Sequence, residues 1–320
     1  MSAPAPAPAP APTKNPGPST APAPAAEPAY GLPRNAFETP GDPNTARAMA
    51  ARASAAAVVS AAAARVVAGT GMPAAEPAAP RYTVGLARDL AEVRAAQLLR
   101  HQVFAGELGA RLDSLEPGLD VDEFDAHCDH LVVREENTGA VVGTYRLLPP
   151  GRAAALGRRY ADGEFALGGQ NVLHDDLVEV GRSCVHPDHR EGAVIGLMWA
   201  GIARYLVDSG HNWLAGCCSV PLNDGGTLAA AVWDEVSRKH MAPAEYRVRP
   251  YRPWDPTGAP APEGRVPLPA LLRGYLRLGA WVCGEPAYDP DFECADFYVL
   301  LSLRRTDARY LRRFLALDSA

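Results

Sequence analysis

The chain has 320 residues and a formal net charge of −6, so it lacks the cationic excess that nonspecific nucleic-acid binding draws on. Its start, MSAPAPAP, has neither the basic n-region nor the apolar h-region of a secretory signal, which argues for a cytoplasmic protein. The six cysteines, at 128, 184, 217, 218, 283 and 294, show no Cys-x-x-Cys spacing, so reduced core thiols are expected, not a disulfide frame or a zinc site.

At roughly 100–200 residues per domain the length suggests two domains, but composition argues for one. Residues 1–78 are dominated by Ala and Pro and hold almost no large apolar side chains, so they read as a disordered tail. Residues 79–320 then form a single globular domain. Within the tail, Asn44 to Val67 is Ala-rich, but Arg47, Arg52 and Arg65 interrupt it and it falls short of a membrane span. A solvated linker is favoured there, the alternative being a surface-seeking helix that makes peripheral contact with the inner face of the membrane.

In chain order, Tyr82 to Leu86 alternates like a strand, and Asp89 with Glu92 makes a capping-box pattern that opens a helix. Arg100 and Phe104 are four apart on that helix and share a face. The run SLEPGLDVDEFDAHCD, ending at Asp129, is acidic and contains Pro117 and Gly118, so it reads as a loop or lid. Its Glu123 and Asp125 either form a wet surface or make a negative pocket for an ammonium group. His127, Asp129 and His130 are ligand types with no further Cys or His at metal-site spacing, so no metal is expected. Leu131–Glu135 and Ala140–Leu147 flank Glu136-Asn137-Thr138-Gly139 and read as a hairpin, with Arg146 near the end of its second strand.

The segment LVEVGRSCVHPDHREGAVIGLMWAGIARYLVD, Leu177 to Asp208, is a strand, a turn and an amphipathic helix in sequence. Val178, Val180, Cys184 and Val185 suit a core strand, whereas Glu179 and Arg182 place opposite charges near its end. After His186-Pro187-Asp188 the chain turns at Gly192. Ile195, Met198, Trp199, Ile202 and Leu206 then repeat at helical spacing from about Ala193. The first turn of that helix offers free N–H groups that suit a phosphate or the amide carbonyls of pantetheine. A second unit of the same kind follows, with a strand from Trp213 to Val220 and a helix from Thr227 to Arg238. The loop Gly284 to Cys294 leads to an apolar strand, Phe297 to Leu303, and Thr306 is placed to cap a last helix carrying Tyr310, Phe314 and Leu317.

The run EVGRSCVHPDHREGAVIGLMW resembles the signature segment of the ornithine lipid N-acyltransferases, a hemolysin-like branch of the GNAT superfamily. More distantly it resembles the acyl-homoserine-lactone synthases. Arg100, Phe104, Glu123, Asp125, Arg146, Glu179 and Arg182 match that pattern in order. The resemblance implies a GNAT-type mixed α/β fold, with a mostly antiparallel central sheet flanked by helices and two parallel strands that splay to admit an acyl-pantetheine arm. It implies transfer of a 3-hydroxyacyl group from acyl carrier protein to the α-amine of ornithine, giving lyso-ornithine lipid. The alternatives are an acyl-homoserine-lactone-synthase-like enzyme, a small-acyl CoA-dependent acetyltransferase and a non-enzymatic hemolysin-like protein.

On that resemblance Glu179 and Arg182 are the catalytic pair. Glu179 would take a proton from the attacking amine and Arg182 would orient a carboxylate or phosphate. Arg100, Phe104, Glu123, Asp125 and Arg146 would bind the acceptor. Asp289, Asp291 and Asp296 are turn residues or help to select its cationic group. Ser183, Cys184, Val185, His189, Arg190, Gly192 and Ala193 would bind the donor. No cofactor is held permanently; an acyl-phosphopantetheine thioester is the co-substrate. The pyrophosphate loop of acetyl-CoA enzymes, Arg/Gln-x-x-Gly-x-Gly/Ala, is degraded here to His189-Arg190-Glu191-Gly192-Ala193-Val194, which fits a carrier-protein donor. Arg190, Arg204, Arg238 and Lys239 would meet the acidic carrier.

Overall fold

The computed structural model describes residues 81–307 apart from Glu191, Glu263, Arg265, Val266 and Pro267, together with Arg309, Tyr310 and Arg312. The tail expected over residues 1–78, its Ala-rich segment, and Phe314 and Leu317 of the expected last helix lie outside them. In chain order the regular elements are β1 (Tyr82–Leu86), α1 (Leu90–His101), β2 (Asp129–Glu135), β3 (Val141–Leu148), α2 (Pro150–Leu156), β4 (Phe165–Ala166) and β5 (Leu177–Val185). They continue as α3 (Ala193–Ser209), β6 (Trp213–Pro221), α4 (Thr227–Lys239), β7 (Arg249–Pro250), α5 (Ala270–Arg277), β8 (Trp281–Val282), β9 (Ala287–Asp289) and β10 (Cys294–Ser302).

The main sheet runs β1-β2-β3-β5-β6-β10-β8, with β9 also on β10, while β4 and β7 pair separately. Neighbours are antiparallel except β5 and β6, which are parallel. The Asp89 side chain accepts from Glu92 N–H and starts α1 where the capping pattern places it. Alternation then sorts each strand by face. Leu131, Val133, Tyr145, Leu147, Val178 and Val180 pack with Val194, Met198, Ile202 and Leu206 of α3. Leu177, Ala215, Tyr298 and Leu300 turn to the opposite face.

That opposite face holds the polar residues, and the sheet opens there. β5 and β6 pair only at Leu177–Trp213, Val178–Leu214 and Glu179–Ala215, although β5 continues to Val185 and β6 to Pro221. Each strand is drawn away by its other neighbour. β6 stays in register with β10 along its whole length. β5 follows β3 through a bulge: Thr144 faces Cys184 and Arg146 faces Gly181, so β5 carries one extra residue in between. Arg182 absorbs it with φ 52°, a left-handed conformation that costs a non-glycine residue energy. Just past the last parallel pair, a Cβ at Gly216 would collide with the Val180 carbonyl oxygen, so the backbones come closest where they part.

The acidic stretch after α1 differs from the expected lid. Asp120 and Asp125 are 3% and 8% exposed, because the fully buried Arg100 draws both inward. Arg100 itself is not a surface residue of its helix; it is among the largest fully buried side chains of the described residues.

Candidate active site

Arg100, Arg146 and Arg182 converge beneath the 120–125 loop from α1, β3 and the β5 bulge. Arg100 Nη2 reaches the two Asp125 carboxylate oxygens at 2.8 and 2.9 Å, and Arg100 Nε lies 2.9 Å from Asp120 Oδ2. That last contact is a close ion pair whose N–H is not aimed at the oxygen, since neither atom has a hydrogen-bond partner. Arg146 Nη1 donates to Asp122 at 2.6 Å. Arg182 Nε sits 3.2 Å from Asp120 and Arg182 Nη2 3.6 Å from Asp122. Its guanidinium carbon lies 5.0 Å from the centre of the Tyr160 ring and 5.2 Å from that of Phe292. Burial pushes the Asp122 carboxyl up, but Arg146, Arg182 and Arg100 pull it down by more and hold it below its ordinary value. Burial also works against the Arg182 charge, and Tyr160 and Asp120 outweigh it.

Of the acceptor residues expected from the sequence, Arg100, Asp125 and Arg146 come together in this cluster. Phe104 packs beside it, edge-on to Phe292 at 5.7 Å. Glu123 points elsewhere and pairs with the half-exposed Arg158. Asp120 and Asp122 take its place. His130 hydrogen-bonds through Nε2 to the Asp125 carbonyl at 3.2 Å, and burial holds its pKa below the ordinary value. Asp129 pairs with Arg152 at 2.8 Å and accepts from Tyr205 at 2.8 Å.

Glu179 has surroundings different from those of an open base. One oxygen accepts Tyr160 N–H at 2.7 Å and the other Ala161 N–H at 2.9 Å, so the carboxylate holds the 3-10 turn Tyr160–Gly163. Burial raises its pKa, and the two backbone donors oppose that rise.

Beyond the split lies a second acidic group. Glu164 Oε2 is 3.7 Å from Cys217 Sγ on β6, and Asp296 on β10 is 3.6 Å from Cys294 Sγ. Asp289 turns its carboxylate onto Asp291 and Phe292 N–H at 2.8 and 3.1 Å. Ligand-type atoms of Glu164, Cys217 and Asp296, and of Asp289, Cys294 and Asp296, lie within 4.8 Å of one another. Burial pushes both thiols well up, so with no cation beside them they stay protonated at neutral pH and serve as hydrogen-bonding groups. Burial also raises Glu164 and Asp296, and Glu164 is raised further by its carboxylate neighbour. Nothing in the sequence joins Glu164 to Asp296; the fold does.

The residues expected at the donor line the other lip. Ser183 and the buried Cys184 and Val185 run along the bulged end of β5, and burial pushes the Cys184 thiol up to about 12. Gly192, at φ 98°, precedes Ala193 at the start of α3, whose first turn has no side-chain cap. His189 Nδ1 lies 2.9 Å from the Tyr82 hydroxyl. Arg190 forks onto Glu107, while Arg238 and Lys239 pair with Asp234 and Glu235 one turn back on α4. Among the described residues no helix is long and apolar enough to cross a membrane.

A strand pair that opens beside a bulge, with an uncapped helix start at one lip and ionisable groups at the other, is the layout of a GNAT-type acyltransferase. The acetyltransferase (GNAT) domain description matches residues 99–200. An L-ornithine N(alpha)-acyltransferase from Rhodobacter capsulatus is 38% identical over 243 residues, 72% of this chain and 93% of the relative. One from Rhizobium meliloti is 34% identical over 72% of this chain and 82% of its own. The chain belongs to the L-ornithine N(alpha)-acyltransferase family, which bears out the resemblance seen in the signature segment. Among solved structures, the CoA-dependent acyl-homoserine lactone synthase BjaI, with SAM and isopentyl-CoA, superposes with a TM-score of 0.45 at 16% identity, covering 75% of this chain and 90% of that one.

Proposed function

We propose that this acyltransferase moves a 3-hydroxyacyl group from the phosphopantetheine thioester of an acyl carrier protein to the α-amine of ornithine, giving lyso-ornithine lipid. The observation that carries the reading is the asymmetry of the split. Arg182 closes one side with its charge balanced, whereas Glu164 and Asp296 line the other with carboxylates that no described cation pairs. An acceptor with a cationic side chain supplies the missing charge, so its side-chain ammonium is assigned to Glu164 and Asp296. Relatives named for ornithine support the same choice.

The thioester arm enters between β5 and β6, with its amides toward the uncapped start of α3 and its carbonyl toward the backbone N–H groups of Ser183 to Val185. The degraded loop His189–Val194 supports a donor without an adenosine pyrophosphate. The amine must shed a proton before it attacks. Glu179 is assigned an indirect part in this: it holds the turn that sets Tyr160 against Arg182 and carries Glu164 toward Cys217.

Lipid mass spectrometry on a host without ornithine lipids, expressing this chain, tests the reading. A new mass matching 3-hydroxyacyl-ornithine is the expected result. A folded, expressed protein that yields no such lipid, or that acylates only neutral amino acids, overturns it. Saturation by acetyl-CoA with no gain from a carrier protein would favour the small-acyl alternative.

A further inference from the structure

The loop that leads from β5 into α3 is tied down by one residue in two directions. Arg190 Nε donates to the Val185 carbonyl at 3.0 Å, and its two terminal nitrogens donate to the two oxygens of Glu107, each at 2.6 Å. Glu107 ends the π-helical turn Gln102–Glu107 that continues α1 and also contains Phe104. Such turns are rare overall and are frequent at functional sites. A two-point fork between charged groups fixes direction as well as distance. With side chains 27% and 22% exposed, this pair adds little to global stability, where partly exposed pairs contribute at most about 1 kcal/mol. It makes no ion pair with Asp120, Asp122 or Asp125, so the charge balance of that cluster does not depend on it. What it does is hold three pieces of backbone together: the end of β5, the approach to α3 and the turn beyond Arg100.

We propose that Glu107 and Arg190 are a positioning pair for the acyl donor, fixing the start of α3 against Val185 at the spacing the pantetheine arm requires. The proposal rests on the donor seat assigned above. It also gives Arg190 a task other than meeting the carrier's surface: its charge is already spent inside the enzyme.

The test uses the full chain as wild type, Glu107→Gln, Arg190→Lys and the reversed pair Glu107→Arg with Arg190→Glu. Steady-state kinetics with acyl carrier protein and ornithine are combined with hydrogen exchange at residues 186–196 in the absence of substrate. Glu107→Gln should raise the donor KM about tenfold, with ornithine KM and kcat within about twofold, the equivalent of losing one good polar contact. Arg190→Lys, which cannot fork, should behave likewise, and the reversed pair should recover most of the donor KM. Exchange should quicken in the 186–196 segment of both single variants. An unchanged donor KM with unchanged exchange overturns the proposal, as does an equal rise in both KM values with a lower melting temperature. If wild type uses neither substrate, the functional reading fails by itself, and the exchange measurement still decides the pair.

Discussion

Two groups of buried and half-buried carboxylates share one face of the sheet, on either side of the split, and they differ in charge balance. Asp120, Asp122 and Asp125 meet Arg100, Arg146 and Arg182. Glu164, Asp289 and Asp296 meet thiols, backbone N–H groups and one another. The consequence is opposite titration: Asp122 is held below its ordinary value of 3.8 by its guanidiniums, whereas Glu164 and Asp296 are raised above 4.5 and 3.8. A balanced group is finished when the chain folds. An unbalanced one lacks a counter-charge, and so stays responsive to a cationic ligand.

The largest effect should come from unbalancing the first group. Arg100→Met leaves Asp120 and Asp125 buried with one guanidinium fewer, and loss of one partner of a buried pair costs about 3–5 kcal/mol. Urea unfolding measures it; a loss under about 1 kcal/mol would mean that the cluster is not held by its charges.

Removing a carboxylate from the second group should change specificity and pH response, not the fold. Glu164→Gln is expected to lower kcat/KM for ornithine by about 30- to 100-fold, equivalent to about 2–3 kcal/mol at 1.4 kcal/mol per decade. Activity with a neutral isostere such as norleucine should move by less than about threefold. Equal losses with both acceptors would remove the ammonium assignment. Stability offers a second comparison. Because the folded pKa of Glu164 is raised, its folded form binds more protons than the unfolded chain above pH 4.5, so stability should fall as pH rises from there. Glu164→Gln should flatten that fall. Asp122 acts with the other sign: its contribution is present above pH 3.8 and is lost as pH drops through its lower folded value.

The smallest effect concerns the residue that joins the two groups. In Glu179→Gln the amide has one acceptor oxygen for the two N–H groups of Tyr160 and Ala161, so the turn loosens by about 1–2 kcal/mol. A melting temperature lower by several degrees, with activity reduced by a similar factor from pH 6 to 9, is the expected outcome. A loss confined to low pH at unchanged melting temperature would restore Glu179 as the proton acceptor.

The elements were legible because periodicity and capping are local. The helix opened by Asp89, the hairpin around Gly139 and the strand-turn-helix from Leu177 fall where their patterns put them. The site was legible only in part. Arg146 and Arg182 stand out as charges in apolar strands, whereas Arg100 and Asp125 enter through the family resemblance, which also brings Glu123 where the structure uses Asp122. In a loop, adjacent carboxylates look alike, and only the buried guanidiniums decide which one turns inward. The second group was nearly invisible: Glu164 and Asp296 sit in unrelated segments, and a carboxylate beside a thiol carries no sequence signature. Nor does any pattern signal the bulge that gives Arg182 its left-handed backbone.

Gly216 shows how much of this architecture depends on a missing atom. The obstacle a side chain would meet there is a main-chain oxygen of the neighbouring strand, which cannot swing aside as a rotamer can. Even alanine would have to shift a whole strand, moving the fork point back from Glu179 toward Leu177 and widening the gap between β5 and β6. The width of the opening is therefore set by the absence of one methyl group, at the position where β5 and β6 part. A map of tolerated substitutions would show an intolerant site on β6, beside Cys217, whose severity reports the spacing of the two strands and not the strength of the core.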